Sequence, residues 1–182
     1  MSNMIKKTIL LSISVMVLTL SATAQDAMPT KGETVNYVNK RLQELIGKEY
    51  EYGSSKRIFT ELSFTLKGDD VVFSGVWSPT DRTYIIKFSH VFNPAYISNT
   101  VLFDGEKPGM PTGEIHILFG SKVVRTTSEQ IVDGMRVKPT REEGRAIQIT
   151  FDPRIPEMGK RMEKALKHLR DLAKAEDDPF AN

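Results

Sequence analysis

Residues Arg57–Trp77 read RIFTELSFTLKGDDVVFSGVW. Ile58, Leu62, Phe64 and Leu66 fall on one parity, with Thr60 among them. Period two sends alternate side chains to one face of a strand, so this run predicts a half-buried strand. Lys67-Gly68-Asp69-Asp70 supplies turn residues, and Val71–Trp77 resumes as a run of β-branched and aromatic residues. Two such runs about a tight polar turn make a β-hairpin.

The same grammar continues outward. Ser78–Asp81 (SPTD) is a turn, and Arg82–Phe92 (RTYIIKFSHVF) places Tyr84, Ile86, Phe88, His90 and Phe92 on one face. Asn93-Pro94 breaks that strand. Tyr96–Phe103 alternates again and ends in a Gly/Pro loop, Asp104–Gly113. Glu114–Phe119 and Lys122–Thr127 form a hairpin about Gly120-Ser121. A charged connection, Ser128–Gly144, leads to Arg145–Phe151, where Ile147, Ile149 and Phe151 alternate with polar or small residues.

Helices flank this β region. Val35, Val38, Leu42, Leu45 and Ile46 recur at helical spacing before Gly47. Met158, Met162, Ala165, Leu166, Leu169, Leu172 and Ala173 form a continuous apolar stripe, with Lys160, Lys164, Lys167, Arg170 and Lys174 on the other side. Small and flexible apolar residues suit core packing better than a membrane interface, where Trp or Phe is usual. The closing helix is therefore expected to cap the β core. The fold class expected is α+β: about seven antiparallel strands in a sandwich or partly open barrel, with an N-terminal helix and a C-terminal capping helix.

The amino terminus predicts the compartment. Lys6 and Lys7 precede an apolar run, Thr8–Leu20, and then Ala22-Thr23-Ala24, an A-x-A cleavage site. This is the order of a secretory signal peptide, and the run is too short for the ~20 residues of a membrane span. The expected organisation is a signal peptide over 1–24, a polar linker over 25–32, one domain over 33–175 and an acidic tail over 176–182. An exported, periplasmic or secreted protein with no span after cleavage follows. Removing Lys6 and Lys7 lowers the 25 basic residues to 23, equal to the acidic ones. A global basic field for nucleic acid is therefore absent. The chain has no cysteine, which excludes thiol catalysis, Cys-based zinc sites and an acylated N-terminal cysteine.

Element order over about Arg57–Ala175 resembles a pleckstrin-homology-like superfold with an added N-terminal helix. A lipocalin-like cup is the alternative, although a G-x-W near the first strand is missing and Trp77 sits late in the second. The signal segment LSATAQ, together with ETVNYVNKRLQEL and KALKHLRDLAKAEDDPF, resembles the ends of small exported proteins of unassigned function from Bacteroidetes-type bacteria. That resemblance implies an envelope location and no particular activity.

Catalytic patterns are missing. There is no H-E-x-x-H, G-x-S-x-G or phosphate-binding glycine motif. Ser89 and His90 are adjacent on a strand and point to opposite faces, so they cannot pair as nucleophile and base. His90, on an apolar face, reads as a partly buried histidine with one hydrogen-bond partner; His116 is expected to face solvent, and His168 to lie beside the stripe of the last helix. Paired acids such as Asp69-Asp70 and Glu142-Glu143 sit in turns or loops. No cofactor or metal is implied.

One geometric expectation remains. In an up-and-down order, the loops after the second, fourth and sixth strands share one end of the sheet. They would bring Trp77, Arg82, Lys107, Arg136, Lys138, Arg141 and Arg145 to one rim, a candidate binding surface. A crossing between sheets would separate them. The functional expectation is a non-catalytic envelope module that binds a protein, lipid or glycan. A small hydrolase using the rim and a carrier with a hollow β core are the alternatives.

Overall fold

The computed structural model describes residues 28–52, 55–103 and 112–177. The expected signal peptide, the start of the linker, Lys107 with most of its Gly/Pro loop, and the tail from 178 lie outside the described residues. The chain forms an α+β fold whose antiparallel sheets do not close into a barrel, which sets aside the cup.

Helix α1 spans Lys31–Gln43 and opens on a capping box: the Thr30 hydroxyl accepts from the Glu33 amide, and the Glu33 carboxylate accepts from the Thr30 amide. These bonds satisfy amides that the first helical turn leaves without partners. The helix begins two residues before the expected start of the domain at 33. Strands follow: β1 (Glu49–Tyr52), β2 (Ser55–Lys67), β3 (Asp70–Pro79) and β4 (Tyr84–Phe92). A 3-10 turn (Pro94–Tyr96) leads to β5 (Ile97–Phe103), β6 (Gly113–Phe119) and β7 (Val124–Val132). Then come β8 (Met135–Arg136), β9 (Thr140–Gly144), β10 (Ala146–Phe151) and helix α2 (Met158–Asp177).

The larger sheet runs β1-β2-β3-β4-β7, with β8 and β9 both paired to the far side of β7; the smaller runs β10-β6-β5. Three connections between the sheets, β4 to β5, β6 to β7 and β9 to β10, leave the larger sheet at one end. Val124 pairs Gly144, and Val91 pairs Arg125, so Phe92, Val124 and Gly144 close that end. The join is packed and bonded. Phe92 meets Phe119 edge-on at 5.3 Å, and the Phe119 amide donates to the Arg145 carbonyl at 2.8 Å.

Three elements differ from the sequence reading. Ser128–Gly144 is not a loop: β7 runs on to Val132, Asp133-Gly134 turns with positive φ, and β8 and β9 pair back. β1 was not anticipated, although its EYEY alternates strictly and puts Tyr50 and Tyr52 on one parity. A bulge between Phe59 and Glu61 shifts the register of β2. Phe59, not Ile58, therefore shares the inner face with Leu62 and Phe64.

Helix α1 also seals the edge of β2. Beyond the short pairing with β1, the Gly47 amide donates to the Phe59 carbonyl, the Gln43 amide group to the Leu62 carbonyl, and the Phe64 amide to Asn39 Oδ1. Side chains and a turn thus stand where a neighbouring strand would, which removes an open edge. Helix α2 packs on β5, β6 and α1 rather than across an opening. Its Met158, Met162, Leu166, Leu169 and Ala173 are buried, as the stripe implied.

Candidate functional site

Register assigns the inner face of the larger sheet row by row. Val71 and Phe92 form a row with Val124; Phe64, Phe73, His90 and Thr126 form the next. Then come Leu62, Gly75, Phe88 and Ser128, followed by Phe59, Trp77, Ile86 and Gln130. The first rows are core. Further along, burial falls away: Phe59, Trp77, Ile86 and Phe88 are only half-buried.

The inner face here forms a cleft of about 280 Å³. Leu42 and Leu45 of the α1 end and Gln148 and Thr150 of β10 complete its lining. The size lies at the lower end of small-molecule sites, and the mixture of aromatic walls with few polar groups is typical of them. Gly75 shapes the wall. A Cβ there would stand 2.8 Å from the Phe88 ring, Leu62 and the Glu61 carbonyl. The missing side chain lets the Phe88 ring approach β3.

Arg57, at the start of β2, lies with its guanidinium carbon 4.1 Å from the Trp77 ring centroid, and Tyr84 meets the same ring edge-on. Cation and indole attract through the ring quadrupole and hold each other in place. Deeper in, His90 Nδ1 is 2.9 Å from the Thr126 hydroxyl, and its ring stacks on Phe73. Burial pushes the His90 imidazole down to about 4, so it is neutral at neutral pH. The histidine read from sequence as a core residue with one partner has that partner, and it also lines the cleft.

The proposed rim is not gathered as an up-and-down order requires. Arg82 sits exposed in the β3–β4 turn with positive φ, and Lys138 is exposed between β8 and β9. Arg136, on β8, opposes Ile131 and reaches Glu129 at 3.5 Å. Arg141 opposes Thr127 midway along β7. Arg145 follows Gly144, which opposes Val124. From Ile131 to Val124 is seven strand steps, so Arg136 and Arg145 stand about 23 Å apart along β7. Trp77 is the member of that set that lines the cleft. Arg57 and the bulged Phe59 escaped the sequence reading: the bulge leaves no mark in apolar periodicity, and a strand-leading arginine looks like any solvated cation.

Two other polar clusters have structural explanations. His116 Nε2 lies 3.0 Å from Glu114, beside Phe103, half-buried on the sheet rather than in open solvent. Buried Asp152 holds Arg154 at 2.8 and 2.9 Å and Lys48 at 3.5 Å, and the Arg154 hydrogen bonds keep its carboxyl below the usual range. That group ties the turn after β10 to the α1–β1 connection. His168 Nε2 lies 2.7 Å from the Pro29 carbonyl and fastens α2 to the segment before α1. Among the described residues, no three acidic or histidine side chains come together as a metal site.

Comparison with protein-family models, curated proteins and solved structures finds no match to this chain. The functional reading therefore rests on the cleft itself.

Proposed function

We propose that this chain is an exported, non-catalytic binding module of the cell envelope that holds one small molecule in the cleft between its sheets. The observation that carries the reading is the partly exposed apolar wall of Phe59, Trp77, Ile86 and Phe88, closed on one side by α1 and β10. Large apolar side chains left half-open side by side are costly in water unless something covers them. The order of charge, apolar run and A-x-A at the amino terminus supports export. No described helix is long and apolar enough to cross a membrane.

A hydrolase is the second reading, favoured by the His90–Thr126 pair. A general base works best when its pKa lies near the operating pH. His90, held down at about 4, would be a weak one. Among the described lining residues there is no carboxylate to raise it. A binding role fits these groups better. The test is native mass spectrometry of the mature protein purified from its own envelope fraction. A one-to-one complex with a small molecule, lost in Trp77→Ala, is expected. A chain that carries nothing but co-purifies with a protein held through Arg136 or Arg141 would overturn the reading in favour of the rim.

A further inference from the structure

We propose that the cleft is built for a small uncharged alcohol, with its hydroxyl at the second ring nitrogen of His90 and its apolar body along Phe88, Ile86 and Trp77. The proposal rests on the cleft being the binding site and specifies its ligand. The inner end of the cleft supplies the anchor. His90 lines it, with Nδ1 2.9 Å from the Thr126 hydroxyl and the ring packed against Phe73 and Phe88 at 5.8 and 5.4 Å. Nε2 has no hydrogen-bond partner among the described residues, yet it is not one of the atoms sealed inside the protein. The side chains of Ser128 and Thr150, which line the same cleft, likewise make no hydrogen bond among the described residues. Polar atoms left unmatched against aromatic rings favour a ligand that brings a hydrogen bond to them.

Charge and hydrogen-bond chemistry select the ligand group. His90 is neutral at neutral pH, and Thr126, Ser128 and Thr150 carry no charge. An ion brought to this end loses water and meets no opposite charge there. The proposal asks nothing of Arg57. That cation already lies on the Trp77 ring at 4.1 Å and takes part in a further interaction. Trp77 is four residues along β3 from Phe73, the neighbour of His90, or about 13 Å. The Thr126 hydroxyl can donate to Nδ1 or accept from it, so Nε2 is an acceptor in one tautomer and a donor in the other. A ligand hydroxyl matches both, whereas a carboxylate only accepts and an ammonium only donates. Size completes the selection: about 280 Å³ admits a single short chain or a small ring system, not a two-chain lipid.

The chain has one tryptophan, so Trp77 emission reports the cleft. The experiment titrates the mature protein at pH 7.5 with 1-octanol, octanoate, octylamine and 1-chlorooctane, each below its solubility or micelle limit. Octanol should bind about tenfold or more tightly than octanoate or octylamine, because each ion gives up hydration at the inner end. His90→Leu should weaken octanol by about three- to tenfold, the range of one neutral hydrogen bond, and leave 1-chlorooctane no weaker. His90→Gln, which keeps a donor and an acceptor, should retain octanol better than His90→Leu does. Should His90→Leu fail to fold, the ranking of octanol against the two ions in the parent protein decides. Octanoate or octylamine binding as tightly as octanol, or a folded His90→Leu that weakens octanol no more than 1-chlorooctane, overturns the alcohol proposal while leaving the cleft as a site. If none of the four probes alters Trp77 emission, the cleft reading itself fails and the proposal falls with it.

Discussion

His90 offers a quantitative check on the described interior. Its imidazole is neutral in the folded chain, with a pKa pushed down to about 4 by burial, against 6.5 in the unfolded chain. Between those values the unfolded state binds the extra proton, so stability rises with pH and is lost as pH falls from about 6.5 towards 4. A pH unit across that gap is worth ~1.4 kcal/mol, so the difference between pH 7.5 and pH 4.5 is on the order of 2–3 kcal/mol. That is a large share of the ~5–15 kcal/mol a domain has. Other groups titrate in the same range, so the informative quantity is the difference between the parent and His90→Gln. Glutamine can keep a hydrogen bond to Thr126 and has no proton to gain. Urea unfolding at the two pH values should show the parent losing roughly 2–3 kcal/mol more than the variant. Parallel losses would refute the placement of His90 as a buried, neutral group.

Other expectations follow from packing. Leu169→Ala, at a fully buried site on α2, should cost ~2–5 kcal/mol through lost burial and a cavity. Lys167→Ala, whose partly exposed ion pair with Glu163 spans 2.8 Å, should cost within ~0.5 kcal/mol; paired thermal melts check both, and equal melts would deny α2 its place in the core. Gly159→Ala should destabilise although alanine favours helices by ~1 kcal/mol. The new Cβ would enter the Phe151 ring, against which Gly113 also packs, and overpacking costs ~1–3 kcal/mol; a raised melting temperature would contradict that packing. Asn39→Ala should lose ~1 kcal/mol by freeing the Phe64 amide at the sheet edge, read as faster hydrogen exchange at Phe64.

Much of the fold was legible because its apolar residues obey simple periods. The hairpin of β2 and β3, the shared face of Phe88, His90 and Phe92, and the buried stripe Met162–Leu166–Leu169 all follow from spacing. What escaped was local or long-range. TREEG became β9 because β7 offered it an edge to pair with; nothing apolar within it announces a strand. The bulge at Thr60 exchanged Ile58 for Phe59 on the inner face, and no composition marks a bulge. The split into two sheets depends on chain reversals after Phe92, Phe119 and Gly144, which a linear reading takes for ordinary turns. The site was half-legible for the same reason. Trp77 and His90 were singled out, one as a rim residue and one as core. Only the stacking of strands shows that they line one cleft, with Arg57 brought beside Trp77 from the neighbouring strand.

The central claim is that ligand binds in the cleft and not on the outer cations. Ser128 lies in the row of Phe88 and lines the cleft, so Ser128→Phe should fill it, whereas Arg136→Ala with Arg141→Ala alters only exposed cations. The decisive measurement is the amount of small molecule carried by each variant after purification from the envelope fraction, determined by solvent extraction and mass spectrometry beside a melt. The account predicts that Ser128→Phe emerges folded and empty while the double variant carries as much as the parent. A folded Ser128→Phe that remains loaded, with a double variant that is empty, would contradict it.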